Sequence, residues 1–182
     1  MRIVAGLWRG RRLTAPSGSA TRPTADRVRQ ALFDVLLHAP WGGRGIVEGA
    51  RVLDVFAGTG ALGLEALSRG AAHAVFIEHD RAALAALRAN IAACQAEDRA
   101  TVLPIDVLAI PSGKPADLVF LDPPYRRDLV PRAVARLRSA HWVAPHTLLI
   151  AETARDGPLL SADVLAERSH GATRISIWRA GP

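Results

Sequence analysis

Residues 51–63 read Arg-Val-Leu-Asp-Val-Phe-Ala-Gly-Thr-Gly-Ala-Leu-Gly. An apolar, strand-forming run ends in a G-x-G-x-x-G pattern at Gly58, Gly60 and Gly63, and a helical pattern follows. Glycines at such a junction let the chain turn tightly and admit a ligand to the backbone, while the following helix N-terminus offers unpaired N–H groups. Outward from this turn, strands are expected at 52–56, 74–77, 101–105, 118–121 and 147–151. Helices are expected at 62–68, 81–93 and 129–138 between them. Alternation of this kind means right-handed βαβ crossovers, hence an α/β fold with a doubly wound, mostly parallel, seven-stranded Rossmann-like sheet. Two weaker strands at 164–167 and 174–178, joined near Gly171, are placed to pair antiparallel at one edge.

Taken alone, the glycine turn suits a dinucleotide or S-adenosylmethionine (AdoMet) equally well. Asp54, four residues before Gly58, would repel a pyrophosphate but can face an ammonium-bearing cofactor; it can equally bond backbone N–H groups of the loop. Glu78, 18 residues after Gly60, ends the second strand, where a carboxylate can accept both ribose hydroxyls. Asp80 reads as the cap of the following helix. Asp106 and Val107, after the third strand, are placed to read an adenine. Phe56 and Thr59 at the turn and His79 beside Glu78 complete the candidate cofactor set.

The 182 residues fit one domain or one domain with a small appendage. With 49% hydrophobic and 22% charged residues, a disordered chain is excluded. No apolar run approaches the roughly 20 residues of a membrane span, and no secretory signal pattern follows Met1, so a cytoplasmic protein is expected. Cys94 is the only cysteine and lies on the stripe of Leu84, Leu87 and Ile91, so it reads as a buried packing residue. With the histidines scattered, no metal is expected. A monomer is expected.

Charge is uneven. Residues 1–51 hold nine arginines against three acidic residues, whereas residues 52–182 balance at 14 basic and 14 acidic. Residues 2–5 and 11–15 read as a β-hairpin with arginines at its tip. From Thr24, Val28, Ala31, Leu32, Val35 and Leu36 form one stripe of an amphipathic helix. Residues 1–48 are thus expected as a basic hairpin-and-helix extension, and residues 49–182 as the main domain. Such a density of arginine suits a polyanion such as nucleic acid or an anionic surface, or else a solvated arginine-rich face; guanidinium groups, which grip phosphates bidentately and stack on bases, are compatible with an RNA contact. Arg9, Arg11, Arg12, Arg22, Arg27 and Arg29 are the candidate contacts.

Leu118-Val-Phe-Leu-Asp-Pro-Pro-Tyr125 is the most informative stretch. Two prolines fix a rigid turn at the end of a buried strand. They present the Asp122 carboxylate, the Pro123 carbonyl and the ring of Tyr125, after Pro124, to the crevice of the glycine loop. An exocyclic base amine is a poor nucleophile because its lone pair is delocalised into the ring. Two acceptors can hold its N–H groups and aim the lone pair at a methyl donor while the aromatic ring stacks on the base, once the nucleotide has left its stack. Arg126 and Arg127, next in the chain, are placed to hold the phosphate of that nucleotide or, equally, to stand as ordinary surface charges.

The glycine loop followed by Asp-Pro-Pro-Tyr resembles class I AdoMet-dependent methyltransferases acting on base amino groups, whose motif is Asn/Asp/Ser-Pro-Pro-Tyr/Phe/Trp. Arg2-Ile-Val-Ala-Gly-Leu-Trp-Arg-Gly-Arg-Arg-Leu13, Arg22-Pro-Thr-Ala-Asp-Arg-Val-Arg29 and Gly63-Leu-Glu-Ala-Leu-Ser-Arg-Gly-Ala71 together resemble the RsmD family, bacterial 16S ribosomal RNA guanine-N2 methyltransferases. The resemblance covers nearly the whole chain. It implies AdoMet at Asp54, the 58–60 loop, Glu78 and Asp106, the target base at residues 122–125, and 16S ribosomal RNA or the 30S subunit against the N-terminal arginines. Guanine as the base comes from the resemblance alone. Other readings are a DNA amino-methyltransferase, for which a target-recognition domain has no room, a dinucleotide-dependent oxidoreductase, which leaves Asp-Pro-Pro-Tyr without a job, and a non-catalytic RNA-binding module.

Overall fold

The computed structural model describes residues 1–16, 23–124, 129–157, 160–161 and 163–181. Seven strands form one sheet: β1 (Arg51–Val55), β2 (His73–Ile77), β3 (Ala100–Leu103), β4 (Leu118–Leu121), β5 (Leu148–Ala154), β6 (Val164–His170) and β7 (Thr173–Arg179). Their order is β3-β2-β1-β4-β5-β7-β6. Strands β1 to β5 are parallel, and β7 inserts antiparallel between β5 and β6. The sheet is therefore mixed. The late hairpin is fully built, with β6 at the edge, and β5 runs three residues further than its apolar run because β7 supplies partners as far as Ala154↔Thr173.

Four α-helices connect or cover the strands: α1 (Pro23–His38), α2 (Ala61–Ser68), α3 (Arg81–Cys94) and α4 (Leu129–Ser139). The helix α3 begins at Asp80, whose carboxylate accepts the Ala83 N–H at 2.8 Å, as the sequence predicts for a cap. It ends with Gln95 in the left-handed region. The apolar stripe of α1 buries Leu32, Phe33 and Leu36 against the face of the sheet carrying Phe76, Phe120, Ile150 and Ile177. The other face carries Leu53, Val119, Leu121 and Leu149 and is covered by Val130, Ala133 and Leu137 of α4. Cys94 is buried in the α1-side core.

The basic hairpin is reduced to one bridge, Arg2↔Arg12, rather than two strands. The two arms still bond to each other, Ile3 N–H to the Arg11 carbonyl and Leu13 N–H to the Met1 carbonyl, but the segment between them is bonded to α2. The Val4 and Ala5 N–H groups donate to Glu65 of α2, and Leu7 and Trp8 N–H groups donate to Ser68. Gly6 makes this approach possible at φ +78°, since a Cβ there would lie 1.9 Å from the Ser68 carbonyl oxygen. Ile3, Trp8 and Leu13 enter the same core as α1 and the sheet, so residues 1–48 share one hydrophobic interior with the strands.

Candidate functional site

The carboxyl ends of the parallel strands open on a cavity of about 480 Å³ between the glycine loop, α1 and the β6–β7 turn. Strand β1 delivers Asp54 to its floor, where the side chain is 2% exposed and accepts the Gly63 N–H at 2.8 Å. Phe56 follows at φ +62°, a left-handed conformation that is costly for an aromatic residue and turns the chain into the loop. Gly60 is favoured by conformation, at φ +78°, and both Gly60 and Gly63 by close contact. A Cβ at Gly60 would meet Leu87 at 2.4 Å, and one at Gly63 would meet Phe76 at 2.4 Å. Gly58, Thr59 and Phe56 line the cavity beside Asp54 and Asp122.

Burial, reinforced by the charges of Asp122 and Glu78, pushes the Asp54 carboxyl up to about 8 despite the Gly63 bond. Asp122 is open to solvent on its crevice side and enclosed by protein on the others. That desolvation, with the charge of Glu152 second, raises it to about 7. Glu152, on β5, is raised by burial and drawn back by Thr173 and His170. Three carboxylates thus line one cavity, with Arg29 and His170 in the same wall.

Glu78 is 8% exposed and already well occupied. One oxygen accepts the Gly58 N–H at 2.8 Å, and the other accepts the His79 and Asp80 N–H groups at 2.8 Å each. Asp106 is exposed and caps a 3₁₀ turn, Val107–Ala109, by accepting the Leu108 N–H. Val107 is buried and His79 is exposed. Glu78, His79, Asp106 and Val107 stand outside the lining of the 480 Å³ cavity, at the ends of the neighbouring strands β2 and β3. At the turn after β4, Pro123 is buried and Pro124 exposed; Tyr125, Arg126 and Arg127 lie outside the described residues.

Among the candidate RNA contacts, Arg9, Arg12 and Arg27 are exposed, and Arg22 lies outside the described residues. Arg11 is exposed but donates to the Ala93 carbonyl at the end of α3. Arg29 corrects the sequence expectation. It is 4% exposed, with its guanidinium 2.9 Å from Asp26 and 3.4 Å from Glu65, and it donates to the Arg2 carbonyl. Its charge is engaged inside the protein at the wall of the cavity, so it is not part of an exposed surface for a polyanion.

Sequence reasoning missed four residues. Glu65, wholly buried, gathers Arg29, Arg69 and two hairpin N–H groups. Asn90, also wholly buried, accepts the Thr14 N–H and donates to the carbonyls of Thr14 and Thr59, tying the hairpin's end to the glycine loop. Glu152 and His170 join the cavity wall from β5 and β6. A glutamate ending the apolar run at 147–151 was the available signal for Glu152, but only the strand order sets it beside Asp122.

The sheet order, the glycine turn under a carboxylate-lined crevice and the Asp-Pro-Pro turn beside it define a Rossmann-like methyltransferase. The family model described as "Conserved hypothetical protein 95" matches residues 1–179. The ribosomal RNA small subunit methyltransferase D of Haemophilus influenzae is 35% identical over 187 residues, covering 98% of this chain and 93% of that one. Its Escherichia coli K12 namesake is 43% identical over 155 residues, covering 84% and 74%. The chain belongs to this family of ribosomal RNA small subunit methyltransferases. The solved structure of Escherichia coli yhhF matches with a TM-score of 0.83 at 38% identity, covering 100% of this chain and 98% of that one. A Thermus thermophilus 16S rRNA N2 methyltransferase (RsmC), in complex with AdoMet and guanosine, shares the fold at a TM-score of 0.68 and 23% identity, over 90% of this chain and 44% of its own.

Proposed function

We propose that this chain transfers a methyl group from AdoMet to the exocyclic N2 amine of a guanine in 16S ribosomal RNA, on the small subunit or its assembly intermediate. The observation that carries the reading is Asp122, at the head of the Asp-Pro-Pro turn, lining the same carboxylate-lined cavity as the glycine loop. The donor set fits AdoMet: among the described residues no ion pair is formed by Asp54, Asp122 or Glu152, and desolvation raises each carboxyl above its ordinary range, with His170 drawing Glu152 partly back. When bound, AdoMet supplies a methyl group on a positively charged sulfonium.

The protein's own part is positioning. Gly58, Thr59 and Gly60 give the backbone access, Phe56 packs beside the ligand, and Asp54 fixes the loop through Gly63 while facing positive charge. A carboxylate has about four acceptor positions, and Glu78 uses three on backbone N–H groups, so one remains for a ribose hydroxyl. That is one hydroxyl fewer than the sequence suggests. Asp106, with one oxygen on Leu108, keeps the other for an adenine amine beside Val107. At the target, Asp122 and the Pro123 carbonyl accept the two N–H bonds of the amine, turning its lone pair toward the methyl. Tyr125 stacks on the base, and Pro124 stiffens the turn. As the N–C bond forms and the S–C bond breaks, the amine becomes acidic. Asp122, raised to about 7, can hold the departing proton. Exposed Arg9, Arg12 and Arg27, with Arg11, Arg22 and Arg126, contact the RNA backbone.

The test is transfer of radiolabelled methyl from AdoMet to unmodified 30S subunits, naked 16S RNA and duplex DNA, with nucleoside analysis. N2-methylguanosine in the ribosomal RNA, lost in Asp122→Ala while AdoMet still binds, is the expected result. Label in DNA, or full turnover by Asp122→Ala, would overturn the reading.

A further inference from the structure

Strands β4 and β5 are parallel neighbours, with Leu121 paired to Ala151. One residue further on, Asp122 and Glu152 therefore leave the sheet side by side, both on the cavity. Period-two alternation sets Glu152 on the same face as Ile150 and Phe120, toward α1. On the far side, Glu152 pairs with Ile175 of β7, and Thr173, two residues before Ile175, falls on the same face. The Thr173 hydroxyl is within reach of the Glu152 carboxylate and lies 3.1 Å from the His170 carbonyl. The His170 Nε2 is buried and has no hydrogen-bond partner among the described residues. The β6–β7 turn thus braces a second carboxylate beside the one that receives the target amine.

Two adjacent acceptors require a substrate edge with two adjacent donors. Beside the N4 amine of cytosine lies an acceptor nitrogen, N3, and beside the N6 amine of adenine lies another, N1. Beside the N2 amine of guanine lies N1–H, a donor pointing in the same direction. A carboxylate facing that position attracts guanine and repels the lone pair that adenine or cytosine would present.

We propose that Glu152 is the residue that selects guanine, its carboxylate accepting N1–H of the base whose amine Asp122 holds, with Thr173 and His170 as positioning residues that keep it on the cavity. The inference rests on the guanine-N2 reading above and deepens it. Guanine is then legible in this chain's own side chains, and the turn between the two late strands belongs to the target-base site.

The test pairs a residue change with an atom change in the base. RNA is prepared with either guanosine or 2-aminopurine riboside at the methylated position. The analogue keeps the amine but bears a lone pair at N1. The wild-type protein is expected to prefer guanosine by about 100-fold in kcat/KM, as a site with a buried charged acceptor rejects a substrate lacking the donor. Glu152→Gln, whose amide can donate to the N1 lone pair, is expected to narrow that preference to about tenfold or less. Thr173→Val is expected to narrow it partway, and it decides the matter if Glu152→Gln fails to fold or to bind AdoMet. The same guanosine preference in wild type and variants, with N2-methylguanosine as product, overturns the role of Glu152 and leaves the guanine-N2 reading standing. A wild-type protein that makes no N2-methylguanosine overturns both.

Discussion

Asp54 holds the glycine loop through the Gly63 N–H from the floor of the cavity. Its carboxyl is raised from 3.8 to about 8, chiefly by burial, so the folded protein holds a proton there that the unfolded chain has released at neutral pH. For a group raised in this sense, the stabilising contribution is full below about pH 4 and is lost as pH rises through about 8. Asp54→Asn keeps an acceptor for the Gly63 N–H but cannot ionise. Without cofactor, its melting temperature relative to wild type is expected to climb between about pH 4 and about pH 8; an unchanged difference across that range would refute the assignment. Asp122 is held at about 7, and it can accept both an amine N–H and a proton only when ionised. The kcat/KM for RNA is expected to fall as pH drops through about 7, roughly tenfold per pH unit once protonated. Asp122→Asn, which retains a carbonyl acceptor, is expected to show a low and flatter profile.

Among the elements, the contact of α1 with α2 carries the most electrostatic weight. Glu65 is wholly buried between Arg29 and Arg69, and it also takes the Val4 and Ala5 N–H groups. Breaking a buried ion pair by deleting one member costs about 3–5 kcal/mol, because the remaining charge is left in the interior. Arg29→Ala is therefore expected to destabilise the fold by about 3 kcal/mol in denaturant titration, with no change in the salt dependence of RNA binding by the protein that remains folded. Asn90 makes a second tie, from α3 to both Thr14 and Thr59, so the hairpin and the glycine loop share one rigid anchor. Neither tie was visible in the sequence. A lone Glu in a helix of small and apolar residues, or a lone Asn in another, acquires its role only from the segment folded onto it.

For the whole molecule, the charge distribution bears on the proposed contact with RNA. The surplus of +6 arises in the first 51 residues, and the hairpin that carries much of it is docked on α2 rather than tethered loosely. Arg9 and Arg12 are exposed and free of the buried network, whereas Arg29 lies within it. Reversing both charges, Arg9→Glu with Arg12→Glu, is expected to weaken RNA binding and to flatten log K against log salt by about one to two units of slope. AdoMet affinity should stay as in wild type. An unaltered slope would place the RNA on another face.

The alternation of strands and helices, the glycine turn at Gly58–Gly63, the Asp122-Pro123-Pro124 turn and the basic N-terminus are all legible along the chain. All of these are local. Hydrophobic periodicity, the conformational demands of glycine and proline, and the count of charges act over a few neighbouring residues, so they can be read without knowing what lies across the fold. The entry of β7 between β5 and β6, the inward turn of Arg29 to Glu65 and the place of Glu152 beside Asp122 under the β6–β7 turn emerge only in the folded chain. Those outcomes depend on which distant segments meet. The burial and charge of the groups that arrive there set the electrostatics of the site, and no window of sequence contains that information.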